Sequence, residues 1–116
     1  ALKAGCDFVL VHVEAPDEAG HNGDRVQKVL AIEHFDDFVV GTILDGLLDY
    51  PEYRVMVLPD HFTPISLKTH ISDPVPFAMC GTGITPDKMS RLTEAEARKG
   101  EHKTVNGHEL LDMLIE

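Results

Sequence analysis

Tryptophan is absent from this 116-residue chain, and aromatic residues make up only 6% of it. Long hydrophobic runs are also missing, since no apolar run approaches the roughly 18 residues that a membrane-spanning helix requires. The first residues, ALKAGCD, have neither the hydrophobic segment nor the cleavage site of a signal peptide. These absences predict a cytoplasmic protein that does not bind a membrane.

Basic residues are scarce: 10 lysines and arginines stand against 20 aspartates and glutamates, which gives a net charge of −10. Such a charge repels nucleic acids and anionic membranes, so neither is an expected partner. An anionic substrate would need a local source of positive charge on this acidic chain.

Cysteine occurs only twice, at Cys6 and Cys80, and both residues lie inside apolar runs. Cysteine in such a run is usually a small buried residue, so we expect both thiols to be buried. A disulfide between them is not expected in a reducing compartment.

Three apolar runs predict β-strands in a chain long enough for about one domain. Residues 6–13 form a continuous valine-rich run, typical of a strand that is buried on both faces of a sheet. Residues 53–58 and 75–80 predict a second and a third strand.

A long amphipathic helix is predicted after a loop at 14–23, because apolar residues recur at spacings of three and four between Asp24 and Pro51. Two shorter helical patterns follow, near 93–99 and from about Gly107. A strand, a long helix and a second strand make a βαβ unit. The predicted fold class is therefore α/β, with a parallel or mostly parallel sheet and flanking helices.

Acid and imidazole side chains follow two of the predicted strands. The stretch APDEAGH places Asp17 and His21 four residues apart after the first run, and VMVLPDH ends in Asp60 and His61. His70 follows in the polar loop that leads to the third run. Ligands of open parallel α/β sheets bind at the carboxyl ends of the strands, so we expect these five side chains to converge. Carboxylate and imidazole ligands suit zinc or manganese, and two clusters suit a site with two ions about 4 Å apart.

Each motif taken alone also has a purely structural interpretation. An isolated Asp-x-x-x-His is more often a loop cap or a surface pair, and an aspartate after a strand often caps a turn. Three such elements at strand ends would each need a separate structural reason, which favours a shared site. The other histidines are not interpreted as ligands: His12 is taken as a core or sheet residue of the first strand and His34 as a residue of the helix. His102 and His108, in the polar C-terminal segment, are taken as solvated.

Three separated motifs resemble the C-terminal metal-binding part of the archaeal-type cofactor-independent phosphoglycerate mutases, which belong to the alkaline phosphatase superfamily. These motifs are DFVLVHVEAPDEAGHNGD, PDH with TP after it, and LKTHISDPVPF, and they occur in the order of the family. The similarity extends through EARKG and NGHELLDMLIE to the end of the chain. The resemblance implies an alkaline phosphatase-like core.

The resemblance also implies a ligand set for two divalent ions, manganese or zinc, with magnesium and cobalt as further candidates. In the family, one ion is held by residues that match Asp17, His21 and His70 here. The second is held by residues that match Asp60 and His61, together with an aspartate and a nucleophilic serine or threonine from an N-terminal segment. This chain has no matching segment, so we expect residues 1–116 to be a single C-terminal metal-binding domain or fragment, which contains no catalytic nucleophile and is inactive alone.

The implied activity of the whole enzyme is the interconversion of 2- and 3-phosphoglycerate in glycolysis and gluconeogenesis. The phosphoryl group is transferred through a covalent phosphoenzyme, and 2,3-bisphosphoglycerate is not required. Two alternatives stay open: another phosphatase or phosphotransferase of the same superfamily, and a metal-binding module without catalysis. The sequence assigns no substrate-binding residue and leaves the oligomeric state undetermined.

Overall fold

The structure, a computed structural model, describes residues 1–100 and 104–116, so His102 lies outside the described residues. It contains helices and a small sheet, which confirms the predicted α/β class. The α-helices are α1 (Ala15–Asn22), α2 (Arg25–His34), α3 (Thr42–Leu47), α4 (Glu94–Ala97) and α5 (Leu110–Ile115). The strands are β1 (Arg54–Val57) and β2 (Ala78–Gly81), and 3₁₀ helices cover Leu2–Ala4 and Gly107–Glu109.

The long helix predicted from Asp24 is present, but its middle is a π-helical rather than an α-helical segment. Asp24 caps it, because its carboxylate accepts a hydrogen bond of 2.9 Å from the Gln27 backbone N–H. Helix α2 continues into a π-helical segment, Phe35–Gly41, and then into α3. Because π-helical bonds join residues five apart, this segment rotates the apolar stripe relative to a regular α-helix.

Residues 14–23, predicted as a loop, instead contain helix α1. Pro16 lies in the first turn, where its missing N–H costs nothing, and Gly23 ends the helix with φ 70°. These two residues are the usual start and stop signals of a short helix. Helix α1 packs against α2 across the turn at Gly23 and Asp24.

The expected parallel arrangement is wrong for the two strands that the structure describes. β1 pairs with β2 antiparallel, with Arg54 opposite Gly81 and Val57 opposite Ala78. The long helix precedes β1, but no long crossover helix lies between β1 and β2, and a connection without one suits an antiparallel pair. Gly81 is required here, because its φ is 121° and a Cβ would collide with the carbonyl oxygen of Tyr53.

Residues 6–13 contain no helix or strand and form no strand pair within the described part of the chain, so the prediction of a strand buried on both faces of a sheet is wrong here. Residues 6–12 are exposed, with Phe8 at 51% and Leu10 at 74%, and Val13 is half-buried. Both cysteines are exposed too, contrary to expectation. Cys6 lies at the start of this unpaired segment, and Cys80 alternates to the open face of β2.

The C-terminal helices lie where helical patterns were predicted. Thr93 caps α4 by accepting from the Glu96 backbone N–H at 3.2 Å. The Arg54 guanidinium donates to the Leu114 carbonyl at 3.1 Å, which ties α5 to β1. Across the described ranges, no helix is both long enough and apolar enough to cross a membrane.

Candidate metal centre

A short loop places His61 and His70 side by side. An isolated antiparallel bridge joins Phe62 to Ile71, and the Ile71 N–H donates to the Phe62 carbonyl at 3.0 Å. Each histidine directly precedes one of the bridged residues. Their rings are therefore stacked, with centroids 3.6 Å apart and planes inclined by 28°.

Helix α1 supplies the other two side chains of the cluster. Asp17 and His21 are four residues apart and lie on the same face of the helix. The nearest Asp17 carboxylate oxygen lies 3.4 Å from His21 Nε2, and the other lies 3.4 Å from His70 Nε2. The two imidazole Nε2 atoms are 3.0 Å apart. Three predicted ligands thus point at one another.

This donor set fits a divalent metal ion. Ligand atoms around a tetrahedral zinc at about 2.0–2.1 Å are about 3.3 Å apart, close to the 3.0 Å between the two Nε2 atoms. Each Nε2 lies 3.4 Å from a different oxygen of Asp17, so both carboxylate oxygens face the imidazoles. The His21 Nδ1–H donates to the Lys68 carbonyl at 3.0 Å, since a carbonyl can only accept. The lone pair of His21 Nε2 therefore faces a carboxylate and a second imidazole, an arrangement that a bound cation would stabilise.

Lys68 contributes through its backbone rather than its charge. Among the described residues other than glycine, Lys68 alone has a left-handed backbone, with φ 56°. This turn directs the Lys68 carbonyl towards His21. Its aliphatic side chain lies against Gly23 at the end of α1. A sequence pattern offers no signal for this role, because the contact depends on a tertiary fold.

Asp60 and His61 lie beside the first three ligands. His61 Nε2 is 3.5 Å from Asp60 Oδ1, and the same carboxylate accepts the His61 backbone N–H at 3.0 Å. Donor atoms of Asp17, His61 and His70 lie within 4.8 Å of one another, so His61 is close enough to share an ion with Asp17 and His70. The structure therefore brings all five predicted residues together.

His12 was interpreted as a structural residue of the first strand, and this interpretation is wrong. Its side chain is exposed, and its Nε2 lies 3.6 Å from Asp60 Oδ2. Because residues 6–13 form no strand pair in the described chain, the His12 imidazole is open to solvent at the edge of the cluster.

Thr63 is a further polar residue at this site; it belongs to the TP that follows PDH in the family motif, but the sequence alone assigned it no role. Thr63 is only 5% exposed, and its hydroxyl donates a hydrogen bond of 2.7 Å to Asp17 Oδ1. The hydroxyl oxygen, Thr63 Oγ1, also lies 2.9 Å from His61 Nδ1. The hydrogen bond from Thr63 is the largest cause of a lowered Asp17 pKa; burial opposes it, and the histidines around the carboxylate assist it. Asp17 is thus favoured in the ionised form that a metal requires.

Helices α1 and α2 both contact Thr63 on the side away from the ligand residues. The Lys28 ammonium of α2 donates to the Thr63 carbonyl. Gly20 of α1 is buried, and a Cβ there would lie 2.8 Å from both the Lys28 ammonium nitrogen and the Thr63 carbonyl oxygen. The glycine therefore makes room for the contact between the two helices and the ligand loop.

The whole chain, residues 1–116, matches the model of the Metalloenzyme superfamily. Among curated proteins it is 47% identical, over 95% of its length, to a protein of Methanothermobacter thermautotrophicus named 2,3-bisphosphoglycerate-independent phosphoglycerate mutase 2. It is also 47% identical to the mutase of Methanothrix thermoacetophila over 99% of its length, and 42% identical to a probable mutase of Geobacter sulfurreducens over its full length. The chain spans 27–30% of the length of these relatives.

A solved structure of a Pyrococcus horikoshii protein has the same fold as this chain. The two superpose with a TM-score of 0.91 at 34% sequence identity, over 98% of this chain and 34% of that one. The match therefore extends to the conformation of the chain as well as to its sequence.

Proposed function

Because this chain belongs to the Metalloenzyme superfamily, we propose that it is the C-terminal metal-binding part of a 2,3-bisphosphoglycerate-independent phosphoglycerate mutase. The resemblance drawn from the motifs is confirmed by the curated relatives that carry this name. The proposed activity of the whole protein is the interconversion of 2- and 3-phosphoglycerate, a reaction of glycolysis and gluconeogenesis, in the cytoplasm.

One observation carries this proposal: the convergence of Asp17, His21 and His70 with donor atoms 3.0–3.4 Å apart. We assign these residues to one divalent ion, and Asp60 with His61 to a second ion whose remaining ligands lie outside this set. Manganese or zinc suits the mixture of carboxylate and imidazole donors, with magnesium and cobalt as further candidates. The bound ions would supply the positive charge that an acidic chain needs to hold a phosphate group.

The exposed apolar surface supports the view that more protein covers this chain. Phe8, Val9, Leu10 and Val11 are 42–74% exposed on a segment that forms no strand pair among the described residues. Val26 on α2 is 73% exposed as well. Contiguous apolar surface of this kind usually marks an interface. We propose that in the whole protein residues 6–13 pair with neighbouring strands in a parallel, alkaline phosphatase-like sheet.

The catalytic nucleophile is proposed to lie in that additional part of the protein, because no serine or threonine of this chain matches the family's nucleophile. The residues of this chain would then orient the ions and the phosphate rather than attack it. An alternative of the same superfamily, a phosphatase or phosphotransferase, would use the same ligands with a different substrate-binding part. A metal-binding module without catalysis is the third possibility.

A metal titration tests the proposed centre on this chain. Melting temperature is measured with manganese or zinc for the parent and for His21→Ala and His61→Ala, with His34→Ala as a control on α2. A ligand at 100 times its Kd stabilises the native state by about 2.7 kcal/mol, which a thermal melt detects. His21→Ala should abolish most of this stabilisation, His61→Ala should abolish less, and His34→Ala should keep it. An absence of any metal response in the parent contradicts the proposal for this chain.

A chimera tests the proposed reaction. This chain replaces the matching segment of the Methanothermobacter mutase, and the product is assayed with 3-phosphoglycerate and with a generic phosphate ester. Mutase turnover that is lost on Asp17→Ala supports the proposal. Hydrolysis of the generic ester without mutase turnover supports the phosphatase alternative, and a folded, metal-loaded chimera with neither activity supports the module without catalysis.

A further inference from the structure

Thr63 lies between the two parts of the proposed metal centre, and we propose that it is a positioning residue, which orients Asp17 and His61 for metal binding without binding the ion itself. The inference rests on the proposed function and adds a residue to the same site. It starts from the two hydrogen bonds of one buried hydroxyl.

The hydroxyl of Thr63 has one proton, so it can donate only one hydrogen bond. That bond goes to Asp17 Oδ1 at 2.7 Å, because an ionised carboxylate can only accept. The contact of 2.9 Å between Thr63 Oγ1 and His61 Nδ1 is therefore donated by the imidazole. His61 is thereby held as the tautomer with its proton on Nδ1, and the lone pair of its Nε2 is free for a metal.

The direction of this lone pair agrees with the rest of the site. His61 Nε2 faces the Asp60 carboxylate at 3.5 Å, and these are the two atoms assigned to the second ion. His21 is fixed in the same way, since its Nδ1–H donates to the Lys68 carbonyl. The Thr63 hydroxyl thus accepts from Nδ1–H of His61, just as the Lys68 carbonyl accepts from Nδ1–H of His21.

The position of Thr63 is itself fixed, as a positioning residue requires. Its side chain is buried, its carbonyl accepts from the Lys28 ammonium, and Gly20 leaves no spare space behind it. A change in ligand orientation would therefore require either Thr63 or two packed helices to move. Partners of this kind typically contribute 10- to 100-fold to metal affinity.

The test compares Thr63→Val, which keeps the shape and removes the hydroxyl, with Thr63→Ser, which keeps the hydroxyl. Thr82→Val is the matched control, because the Thr82 hydroxyl also accepts one bond, from the Tyr53 N–H at 3.1 Å, away from the site. Zinc affinity is measured by calorimetry on folded protein. We expect Thr63→Val to weaken zinc binding by about 10- to 100-fold, and Thr63→Ser and Thr82→Val to bind nearly as the parent does. Equal affinity of Thr63→Val and the parent overturns the proposal.

The tautomer of His61 provides a readout that a merely structural threonine would not change. Long-range proton–nitrogen NMR of the metal-free parent, at a pH where the imidazoles are neutral, should show the proton on Nδ1. Thr63→Val should redistribute it towards Nε2. A parent with the proton on Nε2 overturns the proposal even if Thr63→Val does not fold. If the parent binds no zinc, the metal centre of the proposed function fails, while the tautomer measurement still decides the role of Thr63.

Discussion

Replacing Gly20 with alanine tests how closely helix α1 packs against the ligand loop. Gly20 lies inside a helix without a positive φ, so helix propensity alone predicts that alanine stabilises the protein by about 1 kcal/mol. The structure predicts the opposite. A Cβ at this position would lie 2.8 Å from Lys28 Nζ and 2.8 Å from the Thr63 carbonyl oxygen.

These two contacts differ in cost. The Lys28 ammonium is the end of a flexible side chain and can move away, but its hydrogen bond to Thr63 is then lost, at about 1.5–3 kcal/mol for a charged donor. The Thr63 carbonyl is backbone and can move only with the loop, and overpacking of this kind costs about 1–3 kcal/mol. After the gain of about 1 kcal/mol in helix propensity, Gly20→Ala should lose roughly 1.5–5 kcal/mol.

Gly46→Ala is the matched control, because Gly46 also lies in a helix and a Cβ there meets nothing within 4 Å. It should stabilise the protein by about 0.5–1 kcal/mol. Urea denaturation followed by circular dichroism measures both variants, and unchanged m values show that the midpoints report stability. If Gly20→Ala is as stable as Gly46→Ala, the described packing of α1 on the Thr63 loop is wrong.

Three further predictions concern other parts of the chain. Gly81→Ala should destabilise the protein by about 2–5 kcal/mol, measured by urea denaturation, because its φ and the Tyr53 carbonyl both exclude a side chain. Lys68→Gly should leave the zinc affinity unchanged in calorimetry, since only the backbone carbonyl holds His21; a large loss would mean that the ammonium takes part. The pKa of Glu109 is lowered by hydrogen bonds from Asn106, so their contribution to stability is present above the unfolded pKa and is lost as the pH falls through the folded pKa. Asn106→Ala should raise the pKa of Glu109 in an NMR titration, and an unchanged value contradicts the assignment.

The five ligand candidates could be predicted because spacing in the sequence reflects geometry at the site. Asp17 and His21 share one face of a helix whether or not that helix is recognised, and Asp60 and His61 are adjacent in the chain. Their approach to His70 followed from the expectation that loops at strand ends meet. The structure brings them together through the Phe62–Ile71 bridge, which no local pattern encodes.

The remaining parts of the site depend on tertiary contacts. Thr63 is part of the TP that follows PDH in the family motif, but its role as a hydrogen-bond partner depends on the packing of α1 and α2 against its loop. Lys68 acts through a backbone carbonyl, which has no side-chain signature. The sheet was mispredicted for a related reason: the apolar run at 6–13 has the pattern of a buried strand, but it forms no strand pair among the described residues.

The central claim is that Asp17, His21 and His70 together bind one divalent ion, and X-ray absorption at the zinc edge tests it most directly. The chain is loaded with one equivalent of zinc, and the parent is compared with His21→Ala and His70→Ala. The account predicts nitrogen and oxygen ligands at about 2.0–2.1 Å in the parent, with the scattering signature of two imidazole rings. Each substitution should reduce that signature to one ring in any zinc that stays bound, or remove it where zinc is released. A parent spectrum without imidazole ligands, or one that neither substitution changes, would contradict the account.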